Sequence, residues 1–222
     1  MKTKFLFGTL AALFAMGSAC AQSAGSIVVY GGFTQINPRV QSGDLTAPSL
    51  AGTKVDVKKD TSFVGGVTYY WTDNISIDVP IGLPFEHDVV GAGAIEGTGK
   101  LGSVKSLPIT LLGQYRFGEA TSAFRPFVGA GLTYGHFYKP KATATLSGIT
   151  GGTPSNPTTL SMKSRLGATV ELGGAYNLTK DWSASLSVTK TFIKTTGSLS
   201  TGQTIETTLD PVSIKFGVGY RF

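Results

Sequence analysis

Val212 to Phe222 reads VSIKFGVGYRF, and apolar residues alternate with polar or small ones along its whole length. Because successive side chains of a β-strand point to opposite faces, the apolar residues of this stretch share one face. A strand of a soluble β-sandwich can alternate in this way, but it seldom stops at a terminal aromatic ring. A strand that faces lipid on one side and a polar lumen on the other explains both features. The stretch therefore predicts the closing strand of a transmembrane β-barrel.

The first 21 residues have the three parts of a secretory signal peptide. Lys2 and Lys4 form a positive start, an apolar run follows, and Ala19-Cys20-Ala21 is a small-residue cleavage signal. The apolar run is too short to span a bilayer as a helix. A lipoprotein signal, which would place a lipid on the cysteine, is the alternative interpretation. We predict that residues 1–21 are cleaved and that residues 22–222 form a single outer-membrane β-barrel domain.

The composition excludes several classes of protein. Only 14% of the residues are charged and 30 are glycine, which is unusual for a soluble protein of this size. The net charge of +6 is mild and no basic run is longer than Lys58-Lys59, so we expect no nucleic-acid partner. After the predicted signal peptide no window approaches 18 consecutive apolar residues, which excludes a helical inner-membrane protein. Cleavage would also remove Cys20, the only cysteine, and with it any disulfide or thiol nucleophile.

Short alternating segments follow the predicted signal peptide, without the 3.6-residue period of a helix. We predict strands over residues 26–36, 62–72, 75–84, 105–117, 124–138, 161–178, 182–194 and 208–222. The connections alternate between short turns and longer segments, of which the longest are 37–61, 85–104 and 139–160. Outer-membrane barrels have the same asymmetry, with short periplasmic turns and long extracellular loops. The predicted fold is all-β: an eight-stranded, antiparallel, up-and-down transmembrane β-barrel.

Aromatic residues collect beside the short connections. In an up-and-down barrel these positions share one rim, and amphipathic rings settle at the depth of the lipid headgroups. We predict a periplasmic-side aromatic girdle made of Tyr69, Trp71, Tyr115, Phe117, Tyr176, Trp182, Tyr220 and Phe222. Tyr70, Phe124 and Phe127 are expected at the same rim, and a sparser girdle at the opposite rim from Phe85, Phe137, Tyr138 and Phe192.

The inward-facing positions of the alternating strands carry charge. The predicted lumen charge network consists of Asp78, Arg116, Arg165, Glu171, Lys215 and Arg221. The interior of an eight-stranded barrel is narrow enough for side chains to fill it nearly completely. Since unpaired charges would be costly there, we favour a structural network of paired charges. The alternative is a charged constriction that selects ions.

Motifs for catalysis and for cofactor binding are weak. The sequence contains two histidines, and Glu86-His87-Asp88 is a poor metal site because adjacent residues of a strand point apart. No Gly-x-Ser-x-Gly nucleophile motif is present. The segment 93–100 lacks the first glycine of a phosphate-binding loop and the hydroxyl residue after its lysine. We therefore expect no enzyme, no metal and no cofactor.

Five short blocks carry a family resemblance. They are Leu83–Asp88, Leu107–Leu111, Arg125–Tyr134, Leu209–Pro211 and Gly219–Phe222. Together, and in this order, they resemble the outer membrane protein W (OmpW) family. The sequence departs from the family at Pro108-Ile109, where two prolines are frequent, and at Phe127, where tyrosine is frequent. These departures affect only local strand geometry.

The resemblance implies an outer-membrane channel of a Gram-negative bacterium for passive uptake of small hydrophobic molecules. Lateral release of those molecules into the bilayer is a further step that the resemblance leaves open. Prolines inside a barrel fit that step, since each lacks a backbone donor for the strand ladder. We hypothesise a lateral exit at Pro80, Pro84, Pro108 and Leu112. The alternative is that these prolines mark only strand ends and bulges.

The expected partners are outer-membrane lipid, lipopolysaccharide, small hydrophobic solutes and the barrel assembly machinery, which would engage the C-terminal strand. The alternative function is a non-transporting structural or adhesion barrel that acts through its extracellular loops. A lipid-modifying barrel enzyme is a more distant third.

Overall fold

A computed structural model of the protein describes residues 23–222, so the predicted signal peptide, 1–21, lies outside the described residues. The elements, in chain order, are β1 (Ile27–Asn37), β2 (Gln41–Ser42), β3 (Thr53–Val57), β4 (Asp60–Tyr70), β5 (Ile75–Gly82), β6 (Phe85–Gly93), β7 (Lys100–Arg116), β8 (Phe124–Ala142), α1 (Ala144–Thr150), β9 (Leu160–Met162), β10 (Arg165–Asn177), β11 (Trp182–Phe192), β12 (Lys194–Leu199), β13 (Thr204–Thr208) and β14 (Val212–Arg221).

Eight of these strands close into an antiparallel barrel. Their order around the wall is β1-β4-β5-β7-β8-β10-β11-β14, and β14 returns to β1. At the closure Tyr30 of β1 pairs with Gly219 of β14, and on the other side of β1 it pairs with Gly66 of β4. The predicted eight-stranded antiparallel barrel is therefore confirmed, with the alternating C-terminal stretch as its closing strand.

The outer wall of the barrel is apolar, as a lipid-facing surface requires. Ile81, Leu132, Leu172 and Phe216 all point outward and each exposes more than half of its side chain. In water such a continuous apolar band would promote aggregation, whereas in a bilayer it is solvated by lipid chains. The apolar residues of the alternating sequence thus face the lipid, and the residues between them face the lumen.

The eight residues of the predicted periplasmic-side girdle lie at outward positions near the short turns. Six of them are exposed, and Tyr176 and Tyr220 are half-buried. Their rings contact one another edge to face: the ring centroids are 5.2 Å apart in Trp182 and Tyr220, and 4.9 Å apart in Tyr220 and Phe222. Rings in this arrangement are favourably paired.

Four other aromatic residues point into the lumen, so their expected places at the two rims were wrong. Tyr70 and Phe127 lie inside near the short turns, and Phe85 and Phe137 lie inside near the long loops. The reason is strand parity: Tyr70 directly follows the outward Tyr69 and must take the opposite face. Clustering along the chain predicted the height of these rings but not their direction.

The long loops build an extension above the membrane. β6 pairs with β3 on one side and with the upper part of β7 on the other, while β2, β13, β12 and β9 form a second, four-stranded sheet. Charged pairs such as Lys100–Asp88, 2.6 Å, and Lys105–Glu86, 3.7 Å, cover its outer surface, which places the extension in water. Its core consists of Leu45, Ile95, Leu101, Leu146, Leu199 and Ile205.

The helix α1 lies in the extension and was not predicted. Its first turn is capped by Thr143, whose hydroxyl accepts a hydrogen bond from the Leu146 N–H, and it ends at Gly151, which has a φ of 84°. Seven residues are too few for a helical period to stand out in the sequence. Among residues 23–222, no helix is long and apolar enough to cross a membrane.

Candidate functional site

The half of the lumen nearer the short turns is filled by a polar cluster, which we call the polar floor. It consists of Asp78, Gln114, Arg116, Glu171 and Lys215. The Lys215 Nζ lies 3.2 Å from an oxygen of Asp78 and 3.5 Å from an oxygen of Glu171. Gln114 donates to Glu171 at 2.7 Å, and Arg116 donates to Gln114 at 2.8 Å. The ion pairs and hydrogen bonds together cross-link four strands of the wall, β5, β7, β10 and β14.

Aromatic rings hold the guanidinium of the polar floor. The Arg116 Cζ lies 5.0 Å from the ring centroid of Tyr70 and 4.6 Å from that of Phe127, close enough for cation–π attraction. The cavity that remains among these side chains is about 30 Å³, enough for very few water molecules. The polar floor therefore fills the lumen at this depth.

Four of the six predicted network residues come together in the polar floor, and Gln114 joins them. Arg165 begins β10, its side chain is exposed, and none of the ion pairs of residues 23–222 includes it. Arg221 ends β14 and its backbone N–H donates to the Asp181 carbonyl. Arg165 thus lies outside the polar floor, because alternation fixes the face of a residue but not its height in the barrel.

Above the polar floor lies an apolar cavity of about 140 Å³, which we call the lumen cavity. Its apolar walls are formed by Ile36, Val57, Val64, Phe85, Val104, Phe137, Ile193 and Leu209. A second apolar cavity, of about 60 Å³, lies in the core of the extension. The two cavities share Val57, Met162 and Leu209 as lining residues. The two apolar cavities are therefore adjacent, with these three side chains between them.

The strand ladder is interrupted beside the lumen cavity. β5 pairs with β7 only as far as Asp78 opposite Leu112, and β6 pairs with β7 only from Phe85 opposite Ser106. Residues 79–84 thus have no ladder partner in β7 across from residues 107–111. We call this break, bounded by 79–84 and 107–111, the seam.

The residues proposed for a lateral exit lie at the seam. Pro80 and Pro108 stand on its two sides and line the lumen cavity, and the buried Leu112 closes its lower end. Pro84 is exposed at the join between β5 and β6 and does not line the cavity. On the lipid side the seam presents Ile81, Leu83, Ile109 and Leu111, all more than half exposed. The seam is therefore apolar on its outer surface and opens onto an apolar cavity within.

His87 is the titratable group in the upper wall of the lumen cavity. Its Nδ1 lies 2.9 Å from the Lys58 carbonyl oxygen, and its ring stacks on Phe85 with a centroid distance of 6.2 Å. Burial lowers the pKa of His87 below its usual value, against smaller opposing effects of the Lys58 carbonyl and nearby carboxylates. No three metal-ligating side chains lie together anywhere in residues 23–222.

Four threonines that sequence reasoning missed form a hydrogen-bonded chain, which we call the hydroxyl arc. It runs through Thr110, Thr133, Thr169 and Thr191, with Oγ1 to Oγ1 distances of 2.9, 2.6 and 3.0 Å. All four line the lumen cavity. Parity places each of them on an inward face, but only the register between strands brings them to the same height.

Comparisons with known proteins agree with this architecture. The sequence profile of the OmpW family matches residues 23–222. Outer membrane protein W of Escherichia coli is 34% identical to this chain, and the match covers 93% of this chain and 92% of the relative. Outer membrane protein W of Vibrio cholerae is 32% identical, and the match covers 96% of this chain and 97% of the relative. The crystal structure of OprG from Pseudomonas aeruginosa superposes with a TM-score of 0.81 and 29% identity, covering 91% of this chain and 98% of OprG. These similarities confirm the predicted outer-membrane location.

Proposed function

This chain belongs to the OmpW family, and on that premise we propose that it is an outer-membrane channel for passive uptake of small hydrophobic molecules, which leave sideways through the seam. The observation that carries the proposal is the meeting of an interrupted strand ladder with an apolar cavity. The cavity takes up apolar molecules because their transfer out of water is favourable. The seam offers them the bilayer, where they are equally well solvated.

The polar floor supports a lateral rather than an axial route. A molecule that moved straight down the lumen would have to break the contacts of Lys215 with Asp78 and Glu171. An apolar solute cannot replace those contacts, so the charges would be left buried and unpaired. The outward side of the seam presents only apolar side chains. A solute that leaves there therefore breaks no ion pair.

The two prolines at the seam support it as well. Pro80 and Pro108 carry no backbone N–H, so a ladder drawn through either position stays incomplete. A fully paired seam would therefore contain fewer backbone hydrogen bonds than a strand pair without proline. Separating its two sides breaks correspondingly few hydrogen bonds, which matters in lipid because backbone groups there must find partners within the protein.

The test is uptake of an apolar fluorescent tracer by vesicles whose outer leaflet contains lipopolysaccharide, with and without the refolded barrel. Replacing both Pro80 and Pro108 with valine supplies the missing donors on both sides of the break. We expect this variant to slow barrel-dependent uptake severalfold. Pro126→Val in β8, where the ladder to β10 is continuous, is the matched control and should leave uptake unchanged.

Barrel assembly is followed separately by the shift in gel mobility on heating, which all variants should retain. Uptake by the double variant at the wild-type rate would rule out the seam as the exit. If the wild type itself takes up no more tracer than empty vesicles and conducts no ions, the protein is a scaffold that acts through its extension.

A further inference from the structure

The lumen cavity is amphipathic, and its polar side is the hydroxyl arc. The four threonines come from four consecutive wall strands, β7, β8, β10 and β11, and Thr110 lies at the edge of the seam. The wall above them is apolar, from Val104 and Phe137 to Leu209. A molecule that filled this cavity would therefore touch a row of hydroxyl groups along the arc and mainly hydrocarbon above it.

The hydroxyl arc has hydrogen-bonding capacity left over. A threonine hydroxyl donates once and accepts twice, so four of them in a line use three donors and leave one donor and several lone pairs. The two ends of the chain, Thr110 and Thr191, have no other side-chain partner among the described residues. Thr34, on β1, lines the same cavity, and its hydroxyl is buried without any hydrogen-bond partner in residues 23–222. Buried polar groups are normally satisfied, so this cavity suits a molecule that brings a hydrogen-bonding group of its own.

The charges below the arc are already balanced. Lys215, which also lines the cavity, contacts the carboxylates of Asp78 and Glu171, and Arg116 reaches Glu171 through Gln114, so the polar floor has two cations and two carboxylates. A carboxylate placed on the arc would lose its hydration without gaining a free cation as a partner, which is costly in an apolar cavity. A neutral hydroxyl avoids that cost and can both donate to the arc and accept from it.

We propose that the lumen cavity is selective for neutral amphipathic molecules, a hydrocarbon chain with one hydroxyl, and that the hydroxyl arc binds the hydroxyl group. This inference rests on the proposed channel function and names the solute class that the channel prefers. The arc ends at Thr110 beside the seam, so a bound alcohol can pass from one threonine to the next towards the exit without losing its hydrogen bond. An alkane of equal length forms no hydrogen bond with the arc, so the free donor and acceptors of the four threonines stay unpaired.

The experiment compares 1-decanol with n-decane in vesicles with a lipopolysaccharide outer leaflet. For each compound the measured quantity is the uptake rate with the refolded barrel divided by the rate of protein-free vesicles, which removes the difference in bilayer permeability. We expect the enhancement to be roughly fivefold to tenfold larger for decanol, the size of one or two net hydrogen bonds.

Two double variants separate the hydroxyl from the shape of the side chain. Thr133→Val with Thr169→Val removes two hydroxyls at nearly constant volume, and we expect it to bring the decanol-to-decane ratio close to one with decane uptake unchanged. Thr133→Ser with Thr169→Ser keeps the hydroxyls and loses the methyl groups, and it should keep the selectivity. Both variants are first checked for the heat-dependent gel shift of a closed barrel.

The outcomes are distinct. A wild-type ratio near one, or a ratio that survives the valine substitutions, overturns the proposed selectivity and leaves the channel function standing. If neither compound enters faster than into protein-free vesicles, the channel function itself fails and the selectivity with it.

Discussion

Lys215 contacts both carboxylates of the polar floor, and only 12% of its side chain is exposed. Lys215→Met would leave Asp78 and Glu171 buried close together without their cation. Removing one partner from a buried ionic cluster typically destabilises a protein by about 3–5 kcal/mol. We expect a loss of this size in the free energy of unfolding, measured by urea titration of the barrel in lipid vesicles.

The control for this substitution is Lys105→Met. Lys105 pairs with Glu86 on the outer surface of the extension, where both side chains are more than a third exposed. Exposed pairs contribute about 0–1 kcal/mol, so this variant should unfold almost as the wild type does. Equal losses for the two variants would mean that the polar floor is far better hydrated than its burial indicates.

His87 gives the extension a dependence on pH. Because burial lowers its pKa, the folded state binds a proton less readily than the unfolded state does. Its contribution to stability is complete above the ordinary histidine pKa, about 6.5, and is lost as the pH falls below that value. We expect the hydrogen-exchange protection of the Lys58 amide, which donates to the Asp88 carbonyl, to fall between about pH 7 and pH 5.

The comparison that isolates this histidine is His87→Gln. Glutamine stays neutral and can still donate to the Lys58 carbonyl, so protection in the variant should be flat over the same pH range. If the Lys58 amide loses hydrogen-exchange protection equally in the wild type and in the variant, the pH dependence comes from carboxylates and not from His87.

At the level of single residues, the sequence predicted which face of its strand each side chain occupies, because the two faces alternate along the strand. It placed Asp78, Glu171 and Lys215 on inward faces before any contact was known. Parity says nothing about height, which depends on how far each strand is shifted against its neighbour. Arg165, for this reason, shares the inward face but lies exposed at the start of β10.

At the level of elements, the barrel strands followed from alternation but their lengths did not. β7 begins at Lys100 and β8 continues to Ala142, well past the ends expected at 105 and 138. Beyond the bilayer, charged residues replace the apolar outward set, so the alternation fades although the ladder continues. The position of the seam was easier to predict than the strand lengths, because proline has no backbone N–H and its effect on strand pairing follows directly from the sequence.

Glycine sets the closeness of two neighbouring strands. A Cβ on Gly131 of β8 would overlap the carbonyl oxygen of Leu111 in β7. Gly131→Ala should therefore push the strands apart and lower the free energy of unfolding by about 1–3 kcal/mol, as overpacking typically does. Urea titration in vesicles measures the difference.

Gly217→Ala in β14 is the matched inward-facing control. A Cβ there would lie 3.5 Å from the nearest atom, the Gly31 carbonyl oxygen, which is an ordinary contact. This variant should keep wild-type stability; a loss equal to that of Gly131→Ala would show that barrel glycines act through chain flexibility and not through strand spacing.

At the level of the whole molecule, the number of strands and their closure were predictable, whereas the cavities were not. The even count and the C-terminal stretch already required a closed wall. The hydroxyl arc depends on the register of four neighbouring strands, which brings Thr110 level with Thr191 from positions far apart in the chain, and the lumen cavity depends on the register around the whole wall. No local pattern in the sequence contains that information.

We expect a bacterium that makes many copies of this barrel to stay impermeable to water-soluble antibiotics, because the polar floor fills the lumen beneath the cavity. The permeability of the envelope to such compounds should then not depend on the abundance of the protein. On the proposed lateral route, the membrane itself limits the rate of delivery. A molecule in the seam would leave only as fast as the surrounding acyl chains make room, so we expect stiffer lipids at low growth temperature to slow uptake without any change in the protein.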